Sequence, residues 1–143
     1  MLAVLALALF GTFSHWQVLD ISNVAWLLRG TDNGENALGL HAWLHDPAPS
    51  FLRTTLLNAP EGTGLLFTDS NPLFSALVFP FRGVLPADAQ VIGWWLLACL
   101  FLQLFFAWKL LRRYAPNQLA LWCGVLLLGA LPTLFNRVVH VYL

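Results

Sequence analysis

The sequence predicts an all-α membrane protein with three transmembrane helices and an external loop that carries interfacial helices. Three observations predict it. The 143 residues are 59% hydrophobic and only 10% charged, with a mean hydropathy of +0.71, whereas soluble domains carry roughly 25% charged residues. Three long apolar stretches contain no acid at all. All seven acids fall between Asp20 and Asp88, together with three arginines, Arg29, Arg53 and Arg82. The remaining cations, Lys109, Arg112, Arg113 and Arg137, lie outside that stretch. No basic run is long enough to suggest nucleic acid as a partner.

Residues 1–19 form the first predicted span. The stretch holds no charged side chain, and 19 helical residues at 1.5 Å each approach the ~30 Å of a hydrocarbon core. It lacks the basic leader and small-residue cleavage site of a signal peptide. The missing basic flank also leads us to expect further chain upstream.

Residues 20–89 form the predicted external loop. Gly30, Asn33 and Gly34 are turn formers. A helix is expected to follow, capped by Asp32 or Asn33, with Glu35 in its first turn, where the helix dipole favours an acid. Ala37, Leu40, Trp43 and Leu44 give it an apolar face, and Asp46-Pro47 ends it. From Pro47 to Gly64 the prolines and glycines predict an irregular loop without strands. Ser70 or Asn71 is expected to cap a second helix with Pro72 as its first residue, where a missing N–H costs nothing. That helix, Leu73 to Phe79, is too short to span and is expected to lie in the interface and stop near Pro80.

Residues 90–111 form the second predicted span, 112–118 a basic cytoplasmic link, 119–136 the third span and 137–143 an external end. The basic link fixes orientation by the positive-inside rule. The acidic loop, and the end that carries Arg137 and His140, then lie on the external side of a multi-pass membrane protein. Cys99 and Cys123 lie within spans and are expected to act as small buried hydrophobes. Because three spans enclose little, the chain is expected to be part of a longer polytopic protein whose remaining helices are partners.

Several residues carry candidate chemistry. Asp32, with Glu35 beside it, offers a general base able to take a proton from a hydroxyl; the same residues also suit helix capping. Asp69 sits in a Ser/Asn/Pro turn that it either stabilises or uses to face the same cavity. Arg137 and His140, at i and i+3, suit either a phosphate or a helix end among headgroups. His41 and His45 share a helix face, a spacing that binds metal if Asp46 or Asp69 joins. No zinc-protease signature is present, and no metal site is assigned.

The layout resembles the start of GT-C type membrane glycosyltransferases, which place an acid in a long first external loop. More narrowly, the chain resembles a bacterial family of polytopic membrane proteins, known as a domain of unknown function and related to those enzymes. The matching residues are Leu38-Gly39, the run Thr68-Asp69-Ser70-Asn71-Pro72-Leu73, Leu85-Pro86, Gln90, Gly93-Trp94-Trp95, Leu102-Gln103, Arg137 and His140. The chain departs at Leu40 to Trp43, where the family has bulky aromatics and a basic residue. It also lacks a lysine after the TDSNPL run, for which Arg82 is a substitute. The resemblance implies transfer of a sugar from a polyprenyl-phosphate donor to an acceptor hydroxyl at the external face. Asp32, with Glu35 as its substitute, would be the base. Asp69 would shape the acceptor side, and Arg137 and His140 would hold the phosphate. A divalent cation is compatible with this but not argued for by the residues. The rival reading is a non-catalytic subunit or carrier that binds lipid or polysaccharide, and a fragment inactive on its own is a third.

Overall fold

The computed structural model describes residues 1–28 and 32–131, with the side chains of Asp32 and Asn33 outside the described set. It is mostly helical. Five α-helices run through the described residues: α1 (Leu2–Phe13), α2 (Asp32–His45), α3 (Pro72–Val78), α4 (Ile92–Leu111) and α5 (Gln118–Gly129). The chain divides into two compact units. Among the described residues one gathers Met1–Asp20 and residues 93–131; the other is Ile21–Ile92.

In the first unit, α1, α4 and α5 meet along a narrow seam. Ala6, Leu104, Leu121 and Val125 are buried, with Leu2, Leu5, Leu9, Leu97 and Trp122 packed around them. Small residues let the backbones approach: a Cβ on Gly129 would collide with Leu104, and one on Gly124 with Leu111. Close approach at small residues is how helices associate where outer faces gain nothing from burial. Those outer faces are apolar and exposed, including Val4, Leu7, Phe101, Phe106, Leu119 and Leu127. Gln103 spends its side-chain amide within the unit, donating from Nε2 to Leu128 O at 2.8 Å. Asn117 caps α5 by accepting from Ala120 N at 2.8 Å.

Among the described residues one helix, α4 with its 20 residues, is long and apolar enough to cross a membrane. The predicted first span, 1–19, is not one helix. α1 ends at Ser14, whose backbone is extended, and Trp16–Leu19 follow as a 3-10 turn. Trp16 folds back over Gly11, where any side chain would strike its ring, and lies 6.2 Å from Phe10. Twelve helical residues reach only about 18 Å. α5 is equally short within the described residues, which end at Leu131.

The second unit begins and ends side by side: Gln90 N donates to Ile21 O at 2.8 Å. α2 starts at Asp32, which is therefore its first residue rather than its cap. α3 begins as its sequence predicts. Asn71 Oδ1 accepts from Phe74 N at 3.0 Å and Pro72 opens the helix. The helix gives way at Phe79–Phe81 to a 3-10 turn containing Pro80. Between them the structure corrects one expectation. The Pro47–Gly64 stretch contains a short antiparallel pair, β1 (Arg53–Thr54) and β2 (Thr63–Gly64), with Arg53 opposite Gly64 and Thr54 opposite Thr63. Two-residue strands have no alternation to read. Gly62, at φ +73°, turns the chain back where a Cβ would press on Thr54 O.

Candidate functional site

α2 has two working faces, set by helical spacing. Asn36, Gly39, Leu40 and Trp43 are buried at i, i+3, i+4 and i+7. The predicted apolar face was centred on Ala37, Leu40, Trp43 and Leu44; the structure rotates it toward Asn36 and Gly39, and Ala37 and Leu44 are only half-buried. The reason is what Asn36 and Gly39 meet.

They meet the Thr68–Asn71 turn. Asn36 Nδ2 donates to Asp69 O at 2.7 Å, and Ser70 Oγ donates back to Asn36 O at 2.9 Å. Thr68 Oγ1 in turn donates to Leu65 O at 2.9 Å. Buried amide and hydroxyl groups are costly unless paired, so this reciprocal pair fixes the turn on the helix. Gly39 permits the approach, since a Cβ there would overlap both Ser70 Oγ and Thr68 Oγ1. One turn further on, Trp43 stacks on Phe79 at 4.2 Å and 20° and donates from Nε1 to Ser50 O at 3.0 Å. Gly39 and the TDSNPL run, 29 residues apart in sequence, thus pack together, while Leu38 faces away from the turn and is exposed.

We expect Gly39→Ala to cost about 1–3 kcal/mol by overpacking. Ser70→Gly in the same chain should recover part of that, because it removes the nearest obstacle. Thermal unfolding of the single and double variants measures this coupling; strict additivity would mean that Gly39 matters for another reason.

The packing has a consequence for the predicted site. Asp69 is held beside the first turns of α2, the helix that Asp32 opens and to which Glu35 belongs. Both Glu35 and Asp69 are exposed. The Asp32 side chain, Arg137 and His140 lie outside the described residues. His41 and His45 share a face as the spacing predicts, with ring centroids 4.2 Å apart, and His45 Nδ1 lies 2.8 Å from His41 O. Partial desolvation lowers the His41 pKa, His45 lowers it further, and Asp88 opposes both.

Asp46 is the residue whose role the sequence hid. It reads as a helix terminator and as a third ligand for the histidine pair; the structure makes it a buried anchor instead. Its carboxylate accepts from Thr55 N at 2.6 Å, Ala48 N at 2.9 Å, Thr54 Oγ1 at 2.8 Å and Thr55 Oγ1 at 3.1 Å. With both oxygens so engaged it has no lone pair directed at a cation. Among the described residues no group of three metal-ligating side chains occurs. The only legible signal was an Asp ahead of a proline loop and a Thr-Thr pair eight residues on.

The backbone N–H of Thr55, then that of Ala48, hold the Asp46 pKa down at about 2, and the threonine hydroxyls add to them. Hydrogen bonds to the charged form favour it. A carboxyl with a folded pKa below its unfolded value stabilises the fold above the ordinary value of 3.8. That contribution is lost as pH falls through about 2. We therefore expect the 47–64 loop to loosen between these values, seen as faster hydrogen exchange at Thr54 and Thr55. Asp46→Asn should exchange fast already at neutral pH and lose the acid dependence.

The geometry can be set beside other proteins. No curated protein and no solved structure matches the chain. Residues 3–143 match the model of a family described as a domain of unknown function, DUF6311, and over that almost complete length the chain belongs to this family.

Proposed function

We propose that this chain is the N-terminal part of a membrane glycosyltransferase related to the GT-C enzymes. In this reading its three apolar segments cross the bacterial inner membrane, and the Ile21–Ile92 unit lies on the periplasmic side. The enzyme moves a sugar from a polyprenyl phosphate to an acceptor hydroxyl. Asp32 takes the hydroxyl proton as the oxygen bonds to the anomeric carbon, with Glu35 as its substitute. The bond from that carbon to phosphate oxygen breaks, and polyprenyl phosphate leaves against Arg137 and His140. Asp69 shapes the acceptor side.

One observation supports this reading most. The tie from Asn36 to Asp69 puts an exposed acid from a distant turn at the end of α2 that begins with Asp32. Exposed apolar faces on α1, α4 and α5 suit lipid, and Lys109, Arg112 and Arg113 at the α4–α5 link suit a cytoplasmic surface.

The test is sidedness. In the full-length protein with Cys99 and Cys123 replaced by serine, single cysteines at positions 32 and 137 are treated with a membrane-impermeant maleimide in spheroplasts. Both should label from outside. Labelling of the two from opposite compartments removes the shared site and the transferase with it. Correct sidedness without transfer from a polyprenyl-phosphate sugar would instead favour the carrier or subunit.

A further inference from the structure

The second unit holds a cavity of about 230 Å³ on the other face of α2. Its walls are Val24 and Leu27 from the entering chain, Ala37 and Leu44 from α2, and Val91 and Ile92 from the exiting chain. Two exposed ionisable groups, His41 and Asp88, stand at the edge of this apolar lining. The Gln90–Ile21 backbone bond, which closes the unit, keeps the 88–92 wall in place.

We propose that this cavity is a binding site for one small apolar molecule with a neutral hydrogen-bonding head, a short-chain or aromatic alcohol. Size sets the body of the ligand. The cavity is larger than the ~150 Å³ apolar void that takes benzene, and smaller than the ~300–1,000 Å³ of drug-sized sites. A single ring or a short chain fits, and a whole lipid does not. Charge sets the head. The Asp88 carboxylate only accepts hydrogen bonds and repels another anion. The His41 pKa is lowered by desolvation and by His45 against the opposing pull of Asp88, and its neutral form offers one donor and one acceptor. A hydroxyl donates to Asp88 and is met by His41, whereas a phosphate or carboxylate head meets a like charge. The site is therefore distinct from any phosphate contact in the transferase reading and does not depend on that reading.

The experiment uses the full-length protein in nanodiscs and a diazirine-bearing octanol as photoprobe, with labelled peptides mapped by mass spectrometry. Saturable labelling is expected within residues 24–44 and 88–92. Unlabelled octanol should displace it at a concentration roughly tenfold below that needed with octanoate, given the like-charge repulsion. Asp88→Asn should bring the two competitors to within about threefold of each other, because the repelling charge is gone. Ala37→Phe should abolish the labelling by filling the void. Labelling that does not saturate, that spreads along α4 and α5, or that octanoate displaces from the native protein as well as octanol does, overturns the proposal. The competitor comparison on the native protein decides the matter even if the phenylalanine variant fails to fold.

Discussion

On the proposed transferase reading, Asp32→Asn is expected to lower sugar transfer by the full-length protein by about 10²–10⁴-fold while leaving expression and fold intact. That range is what a positioned general base contributes. The amide has the size of the carboxylate and cannot take a proton, so the variant removes one function and little else. The structural cost is limited for a second reason. Asp32 is the first residue of α2, and losing a charge there weakens the interaction with the helix dipole by only about 0.3–1 kcal/mol. The anchors of α2 lie further along, at Asn36, Gly39 and Trp43. Initial rates at saturating donor are the measurement, since a base acts on kcat. Glu35→Gln should lower the rate far less. If it is Glu35→Gln that abolishes transfer, the base is one turn further along the helix. A protein that keeps binding its lipid or polysaccharide, with no transfer to lose, is a carrier.

What the sequence made legible follows from which interactions are local. A helix that opens with Pro72 behind a cap at Ser70 or Asn71 was readable because a cap involves residues three apart and side chains of known habit; the structure selects Asn71. The end of α2 at His45 was readable for the same reason, with Asp46-Pro47 next. The long apolar α4 declared itself by composition. The break in the first apolar stretch did not. There Trp16 folds back over Gly11, and hydropathy treats such a bend as more of the same apolar run. The β1–β2 pair was hidden because its order comes from Asp46, eight residues before Thr54 and outside the strands altogether. At the candidate site, the residues could be named one by one, but the Asn36–Asp69 tie spans 33 positions. No local pattern reports that Asn36 is a core residue, since an exposed asparagine and a buried, hydrogen-bonded one look alike in sequence. The pairing made the difference in burial affordable, and pairing is a tertiary fact.

Trp43→Ala is expected to destabilise the Ile21–Ile92 unit by about 3–5 kcal/mol, the usual cost of deleting a buried large aromatic. Trp43 is only 2% exposed. Its loss removes the stack on Phe79, opens a void between α2 and the turn after α3, and leaves Ser50 O without its indole donor. Trp43→Phe keeps a ring for Phe79 and gives up chiefly the hydrogen bond, so about 0.5–1.5 kcal/mol should go. Trp94 is the control. It is also bonded through Nε1, to Leu19 O at 3.0 Å, but it is 53% exposed, and its truncation leaves no sealed void. Hydrogen exchange across residues 36–45 and 70–81 separates these cases, because it reads the second unit locally and not through the signal of the apolar helices. A stable domain has only about 5–15 kcal/mol in hand, so Trp43→Ala brings this unit near its limit. The Thr68–Asn71 turn docks on the same buried face of α2 one turn away, through Asn36 and Gly39. Protection should therefore fall together at Asn36, Ser70 and Phe74 when Trp43 is cut back. Loss at Trp43 and Phe79 alone would mean that the aromatic stack and the Asn36–Ser70 pair open separately, and that Asp69 is held to α2 without help from the core.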